Sequence, residues 1–195
     1  MMTKHENDRS LTLLKLLSVM IQYPDEGFIR SLAALKQTVE NTVGSAAKRK
    51  LLAFLSDIEA MPPISLQEHF TQIFDISPAT CLNLTYHSQG DSEDRGRTLA
   101  ELDQVYCRAG FTRTTAELPD YLPLVLEFLS QCPRAEGTDL LWHHLGAADS
   151  IAGKLLKLDS PYRVPLELLA EYIQTVTPSD PECRKNTQVT EPPAG

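Results

Sequence analysis

The sequence predicts an all-α protein, a single-domain helical bundle. Apolar residues recur at spacings of three and four through most of the chain, alternation with period two is nearly absent, and prolines and glycines interrupt the apolar runs at helix-length intervals. A chain of 195 residues is long enough to bury roughly 70% of the surface its unfolded form exposes, so one core suffices.

The elements follow in order. Residues 1–9 are polar and mixed in charge and are expected to be a flexible N-terminus. Leu11, Leu14, Leu17 and Ile21, broadened by Leu13, Leu16 and Met20, predict a first helix from about Ser10, with a face wide enough for the core. Pro24 stops it, and Asp25 and Glu26 favour the start of a second helix carrying Phe28, Leu32, Leu35 and Val39. Gly44 breaks that run. Ser45 is expected to cap a third helix with Leu51, Leu52, Leu55 and Ile58, which ends at Met61-Pro62-Pro63. Ser65 and Glu68 stand at capping-box spacing before a short fourth helix with Leu66, Phe70, Ile73 and Phe74.

From Thr80 to His87, Leu82, Leu84 and Tyr86 alternate with polar residues as in a strand. No partner strand is visible, and a lone strand is unstable, so an extended or irregularly helical segment on the core is expected. Gly90, Asp91, Asp94, Arg95 and Gly96 are read as a structural turn feeding a helix with Leu99, Leu102, Val105 and Tyr106, closed by Gly110. Glu117 to Pro123 then open a helix whose buried stripe is Leu122, Val125, Leu126 and Leu129, where a front-end proline is tolerated. Two further helices are expected, about Thr138–Leu158 and about Pro161–Val176, the second capped by Ser160 and bent at Pro165. The domain therefore spans 10–176. Residues 177–195 hold too little apolar surface to offset the entropy of ordering and are expected to be a disordered polar tail.

Composition narrows the function classes. The formal charge of −8 repels phosphate backbones and anionic headgroups and favours basic partners, which argues against nucleic acid. No run of about 18 apolar residues is present to insert into a bilayer, and no cleavable export signal is recognisable. Cys81, Cys107, Cys132 and Cys183 form no CxxC pair and read as reduced, mostly buried thiols, consistent with a cytoplasmic location. His143 and His144 are neighbours on a helix and diverge by roughly a hundred degrees, which prevents joint chelation. His69 and His87 read as structural histidines, and the motifs of zinc proteases, P-loop proteins, serine hydrolases and dinucleotide-binding folds are missing. No catalytic residue, metal ligand or cofactor is therefore assigned, and the chain is not expected to be an enzyme. The rival reading is a small metal-dependent enzyme with Asp91, Glu93 and Asp94 around a hard cation, although acidic residues in a first turn ordinarily serve the helix dipole.

Two clusters mix charge with aromatic side chains: Phe74-Asp75 leading to Gly90–Gly96, and Glu117 to Leu129. They read either as a capped turn and a helix start with Asp120 as cap, or as an apolar groove rimmed by Asp75, Asp120 and Glu127 that selects a greasy, basic peptide.

At these residues the sequence resembles the nitrate reductase delta subunit family, the NarJ-type molybdenum enzyme assembly chaperones, related more distantly to TorD and DmsD. The likeness covers about Leu14 to Cys132. Its marks are Tyr23-Pro24-Asp25, Phe74-Asp75, Gly90, Asp94-Arg95-Gly96, Tyr106, Gly110, Glu117-Leu118-Pro119-Asp120, Leu122-Pro123 and Leu126-Glu127-Phe128. The resemblance implies the TorD/NarJ-like helical fold and a chaperone that binds the N-terminal segment of the nitrate reductase catalytic (alpha) subunit. Such a chaperone keeps that subunit competent for molybdenum cofactor insertion before membrane attachment. It also implies peptide contacts at Phe70, Phe74, Asp75, Asp120, Tyr121, Leu122 and Glu127, while Arg95 orders the turn. A monomer or a helix-swapped dimer fits equally. Tyr121 stands where the family commonly has histidine, which removes a group titrating near neutrality.

Overall fold

The computed structural model describes residues 4–176, with side chains from Ser10 onward. Ten α-helices account for most of these residues: α1 Lys4–Met20, α2 Glu26–Thr42, α3 Ser45–Ala60, α4 Pro63–Phe70, α5 Tyr86–Gln89, α6 Glu93–Arg108, α7 Leu122–Gln131, α8 Thr138–Leu145, α9 Ala147–Lys157 and α10 Arg163–Val176. Among the described residues there is no strand, only an isolated antiparallel bridge between Asn83 and Tyr121.

The packing follows from which helices are apolar all round. α7 buries Leu122 through Leu126, Phe128 and Leu129, leaving only Glu127, Ser130 and Gln131 outside the core, and a helix so nearly apolar belongs at the centre. α1 lies along it and contributes Leu14, Leu16, Leu17 and Met20. α2 pairs with α3, and α9 pairs with α10, and these hairpins close the core through Phe28, Leu32, Phe54, Leu55, Ile151, Leu155, Leu166 and Leu169. No described helix is long and apolar enough to cross a membrane.

Several local expectations are corrected. α1 begins at Lys4, six residues before the expected Ser10, so helix extends into the stretch read as a flexible N-terminus. Gly44, not Ser45, occupies the cap position of α3. The Ser65–Glu68 capping box does not form, because α4 already starts at Pro63, whose missing amide costs nothing there. The expected helix 138–158 is two helices, α8 and α9, divided at Gly146. Pro165 falls in the first turn of α10, where no intrahelical acceptor is lost and no bend is required. Asp94, Arg95 and Gly96 are already inside α6, whose cap is Ser92, so only Gly90 and Asp91 remain in the turn itself. Gly90 has φ +58°, a conformation that side chains with a Cβ avoid. Cys107 is exposed and Cys81 and Cys132 are half-buried, so the described thiols are free but not core residues. The tail 177–195, including Cys183, lies outside the described residues.

Candidate functional site

Asp120 and Tyr121 are adjacent in sequence and end in different surroundings. Asp120 is 0% exposed. Its Oδ1 accepts from Asn83 Nδ2 at 3.1 Å, and its Oδ2 accepts from the Thr85 amide at 3.1 Å and from Thr85 Oγ1 at 2.5 Å. Arg95 Nη2 stands 3.6 Å from the same oxygen, and Arg95 Nε donates to Thr85 Oγ1 at 3.1 Å. A carboxylate taken out of water needs such a full complement of donors and a countercharge. Backbone bonds reinforce the clamp: Leu84 N donates to Asp120 O at 3.1 Å, and Leu122 N to Leu82 O at 2.8 Å. Tyr106 Oη donates to Pro119 O at 2.6 Å and ties the same loop to α6. Asp120 is therefore neither a helix cap nor a groove rim. The cap position of α7 is Tyr121, without a side-chain capping bond.

What the clamp holds in place is the wall of a recess of about 390 Å³, lined by Tyr23, Phe70, Phe74, Asp75, Cys81, Leu82, Asn83, Glu117 and Tyr121. The floor is aromatic. Phe70 and Phe74 meet edge to face with centroids 4.8 Å apart, and both pack edge-on against the buried ring of Tyr162, at 5.5 and 5.3 Å. After α4 the chain makes one π turn, Thr71–Asp75, closed by Ile76 N donating to Thr71 O at 3.0 Å. Such turns re-aim side chains and recur at functional positions. Here it sets Phe74 on the floor and leaves Asp75 exposed at the margin.

Charge and phenol meet at the opposite wall. Burial, together with the carboxylates of Glu117 and Asp75, pushes the Tyr121 phenol well above its ordinary range, so it stays a neutral donor at physiological pH. Beyond Tyr23, which stands edge-on to Phe70 at 5.6 Å, the recess continues into a shallower depression of about 610 Å³ along Ile64, Gln67, Glu68, Thr71, Gln72 and Ile76. Ile64 is 66% exposed, Ile76 71% and Tyr23 45%. Three large apolar side chains bare on one face form a contiguous patch of the kind that binds other polypeptides.

Of the residues expected to contact a peptide, the structure gathers Phe70, Phe74, Asp75 and Tyr121 at one recess. Leu122 is 0% exposed and belongs to the core. Glu127 lies elsewhere and forms an ion pair with Lys15 of α1. Tyr23, Cys81, Leu82, Asn83 and Glu117 were missed as lining residues, as was the bare pair Ile64 and Ile76. The expected turn residues behave as connectors: Arg95 joins α6 to Asp120, lies 5.7 Å from the Tyr86 ring centroid and reaches Asp91 at 4.0 Å, while Asp94 pairs with Arg97 at 3.2 Å. Among the described residues no three His, Cys, Asp or Glu side chains are grouped to hold a metal ion.

The profile of the nitrate reductase delta subunit family matches residues 38–146, more than half of the chain. The chain belongs to the nitrate reductase delta subunit family. It is 31% identical to the protein assigned in Bacillus subtilis (strain 168) as the nitrate reductase molybdenum cofactor assembly chaperone NarJ, over 87% of this chain and 91% of that one. It is 32% identical to NarJ of Escherichia coli (strain K12), over 88% of this chain and 74% of that one. Among solved structures, a protein from Archaeoglobus fulgidus assigned to redox enzyme maturation superposes with a TM-score of 0.62 at 20% identity, covering 89% of this chain and 97% of that one, a likeness of fold. Every recess residue except Tyr23 lies within the span matched to the nitrate reductase delta subunit family.

Proposed function

We propose that this chain is an assembly chaperone for a molybdenum-containing nitrate reductase. In this reading the recess beside Tyr121 accepts the N-terminal segment of the catalytic (alpha) subunit, holds that subunit available for molybdenum cofactor insertion, and releases it before membrane attachment. The protein works in the cytoplasm, without chemistry or a cofactor of its own. The observation that carries the reading is the aromatic recess and its bare apolar extension, Tyr23, Ile64 and Ile76, with carboxylates only at the margin: Glu68, Asp75 and Glu117. A basic amphipathic helix suits such a surface, with apolar anchors in the groove and lysines or arginines against the rim. Aromatic anchors supply most of the affinity, and the rim sets encounter rate and salt dependence.

Calorimetric titration with a synthetic peptide of the alpha subunit's N-terminal segment tests it. Saturable heat that weakens with added salt is expected. Absence of heat at low salt, or binding indifferent to Asp75→Asn and Glu117→Gln together, would sink the reading. Kinship with NarJ chaperones favours a nitrate reductase client, and the same titration with the leading peptide of another molybdenum oxidoreductase separates the two clients.

A further inference from the structure

The recess beside Tyr121 is not uniform from floor to mouth. Its floor is the edge-on pair Phe70 and Phe74, and its carboxylates, Asp75 and Glu117, stand exposed at the margin. Among the described residues neither carboxylate has an ion-pair partner. The cations around the recess are engaged elsewhere: Arg113 is held by Asp103 at 2.8 Å and by the Glu117 carbonyl at 2.6 Å, Arg95 faces Asp120, and Lys154 Nζ donates to Ala79 O at 2.9 Å. Asn83 adds an acceptor. Its Nδ2 must be the atom facing the Asp120 carboxylate, which can only accept, so its Oδ1 is left for the recess and has no partner among the described residues. The fields of Asp75 and Glu117 both fall on the Tyr121 phenol, which places the two charges around one opening.

An aromatic floor below a ring of acceptors, with no cation of its own, calls for a ligand that is apolar at its tip and positively charged where it leaves the recess. A lysine entering side chain first has the opposite order, since its methylenes would stand beside the carboxylates and its ammonium would reach the rings. The first residue of a polypeptide has the required order. Its α-ammonium sits next to the carbon that bears the side chain, so the charge can stay at the mouth while the side chain lies on the floor. Three N–H donors then meet two carboxylates and an amide oxygen.

We propose that the recess captures the free first residue of the client chain, with Asp75, Glu117 and Asn83 Oδ1 around its α-ammonium and Phe70 and Phe74 beneath its side chain. Methionine, with which chains are begun, suits the floor, because its flexible thioether makes favourable contacts with ring edges. The capture rests on the function proposed above and narrows it: the chain end itself is read, and the same segment inside a longer chain is a poor ligand. From the mouth the client runs past Tyr23 along the depression, where Glu68 remains for a basic side chain further on.

Calorimetry with the full chain at about pH 6.5, where an α-amino group is protonated, tests the capture. Two synthetic peptides of the alpha subunit's N-terminal segment are compared, one with a free amine and one N-acetylated. The free amine should bind roughly tenfold more tightly, the worth of one charge-assisted bond. Asp75→Asn with Glu117→Gln should remove that difference by weakening chiefly the free-amine peptide. A third peptide with two added leading glycines keeps the ammonium but moves it away from the mouth, and should bind like the acetylated one. Equal affinity of free and acetylated peptides, or a difference that survives the double variant, overturns the capture and leaves the chaperone function standing. Should no peptide give heat, the client assignment falls, and NMR of the Asn83 side-chain amide with L-methioninamide and N-acetyl-L-methioninamide decides the capture. Saturable movement with the first alone upholds it; no movement, or equal movement with both, overturns it.

Discussion

The clamp around Asp120 and the recess around Tyr121 are built from the same loop and show how differently charge behaves a few ångströms apart. In the clamp both oxygens of a carboxylate are bonded within the protein and neither has access to water, so its worth lies in holding segment 82–85 against 118–122. In the recess the carboxylates of Asp75 and Glu117 stay exposed and their field falls on a neutral phenol and on whatever enters. Burial, more than residue type, separates a structural charge from a recognition charge.

The comparison breaks most visibly at Asp120. Asp120→Ala leaves Arg95 without its buried partner and should lower unfolding free energy by about 3–5 kcal/mol, read from urea denaturation. A variant as stable as the parent but weak in peptide binding would return Asp120 to the rim, where the sequence alone had suggested it. Tyr106→Phe removes the second tether of the same loop, the bond to Pro119 O, and should cost about 1 kcal/mol in the same assay while peptide affinity holds. Asp75→Asn with Glu117→Gln should do the reverse: stability stays within about 0.5 kcal/mol, and the salt dependence of peptide binding flattens. Glu127→Gln loses only a half-exposed ion pair to Lys15 and should alter stability by less than about 1 kcal/mol, with peptide affinity intact. The smallest effect near neutrality concerns Tyr121, whose raised pKa keeps it uncharged, so the parent protein binds peptide equally across the imidazole range. Tyr121→His should make binding of a basic peptide fall as pH drops through that range and the ring gains charge.

Helix content was legible because a buried stripe at spacings of three and four is forced on any helix that joins a core, and because Pro24, Gly44, Pro62-Pro63 and Pro123 can hardly stand anywhere but at helix ends. Gly146 was read through rather than as a break, since a single glycine in an apolar run is tolerated within helices as well. The π turn at Thr71–Asp75 has no spacing signature of its own, so the backbone that sets Phe74 on the recess floor was not legible, although the family resemblance had named Phe74 as a peptide contact. Half of the recess was visible as charge mixed with aromatics at Phe74-Asp75 and near Tyr121. Asp120 was misread because a charged residue ahead of a helix ordinarily caps it or faces water. Its actual partners, Asn83, Thr85 and Arg95, lie 25 to 37 residues away, and pairing over such a distance is invisible to local pattern. Glu117 stood in a cluster noticed for its composition and Tyr23 among the marks of the family resemblance, yet only the tertiary fold carries them to one opening.

Between residues 79 and 88 a single length of backbone has two faces. Cys81, Leu82 and Asn83 face the recess, while Leu84, His87 and Ser88 face the α8–α9 corner, and Ala79 and Cys81 are strapped to Lys154 and His87 from behind. An occupant of the recess that prefers one setting of the strip therefore also works on those rear bonds, although it touches neither Lys154 nor His87.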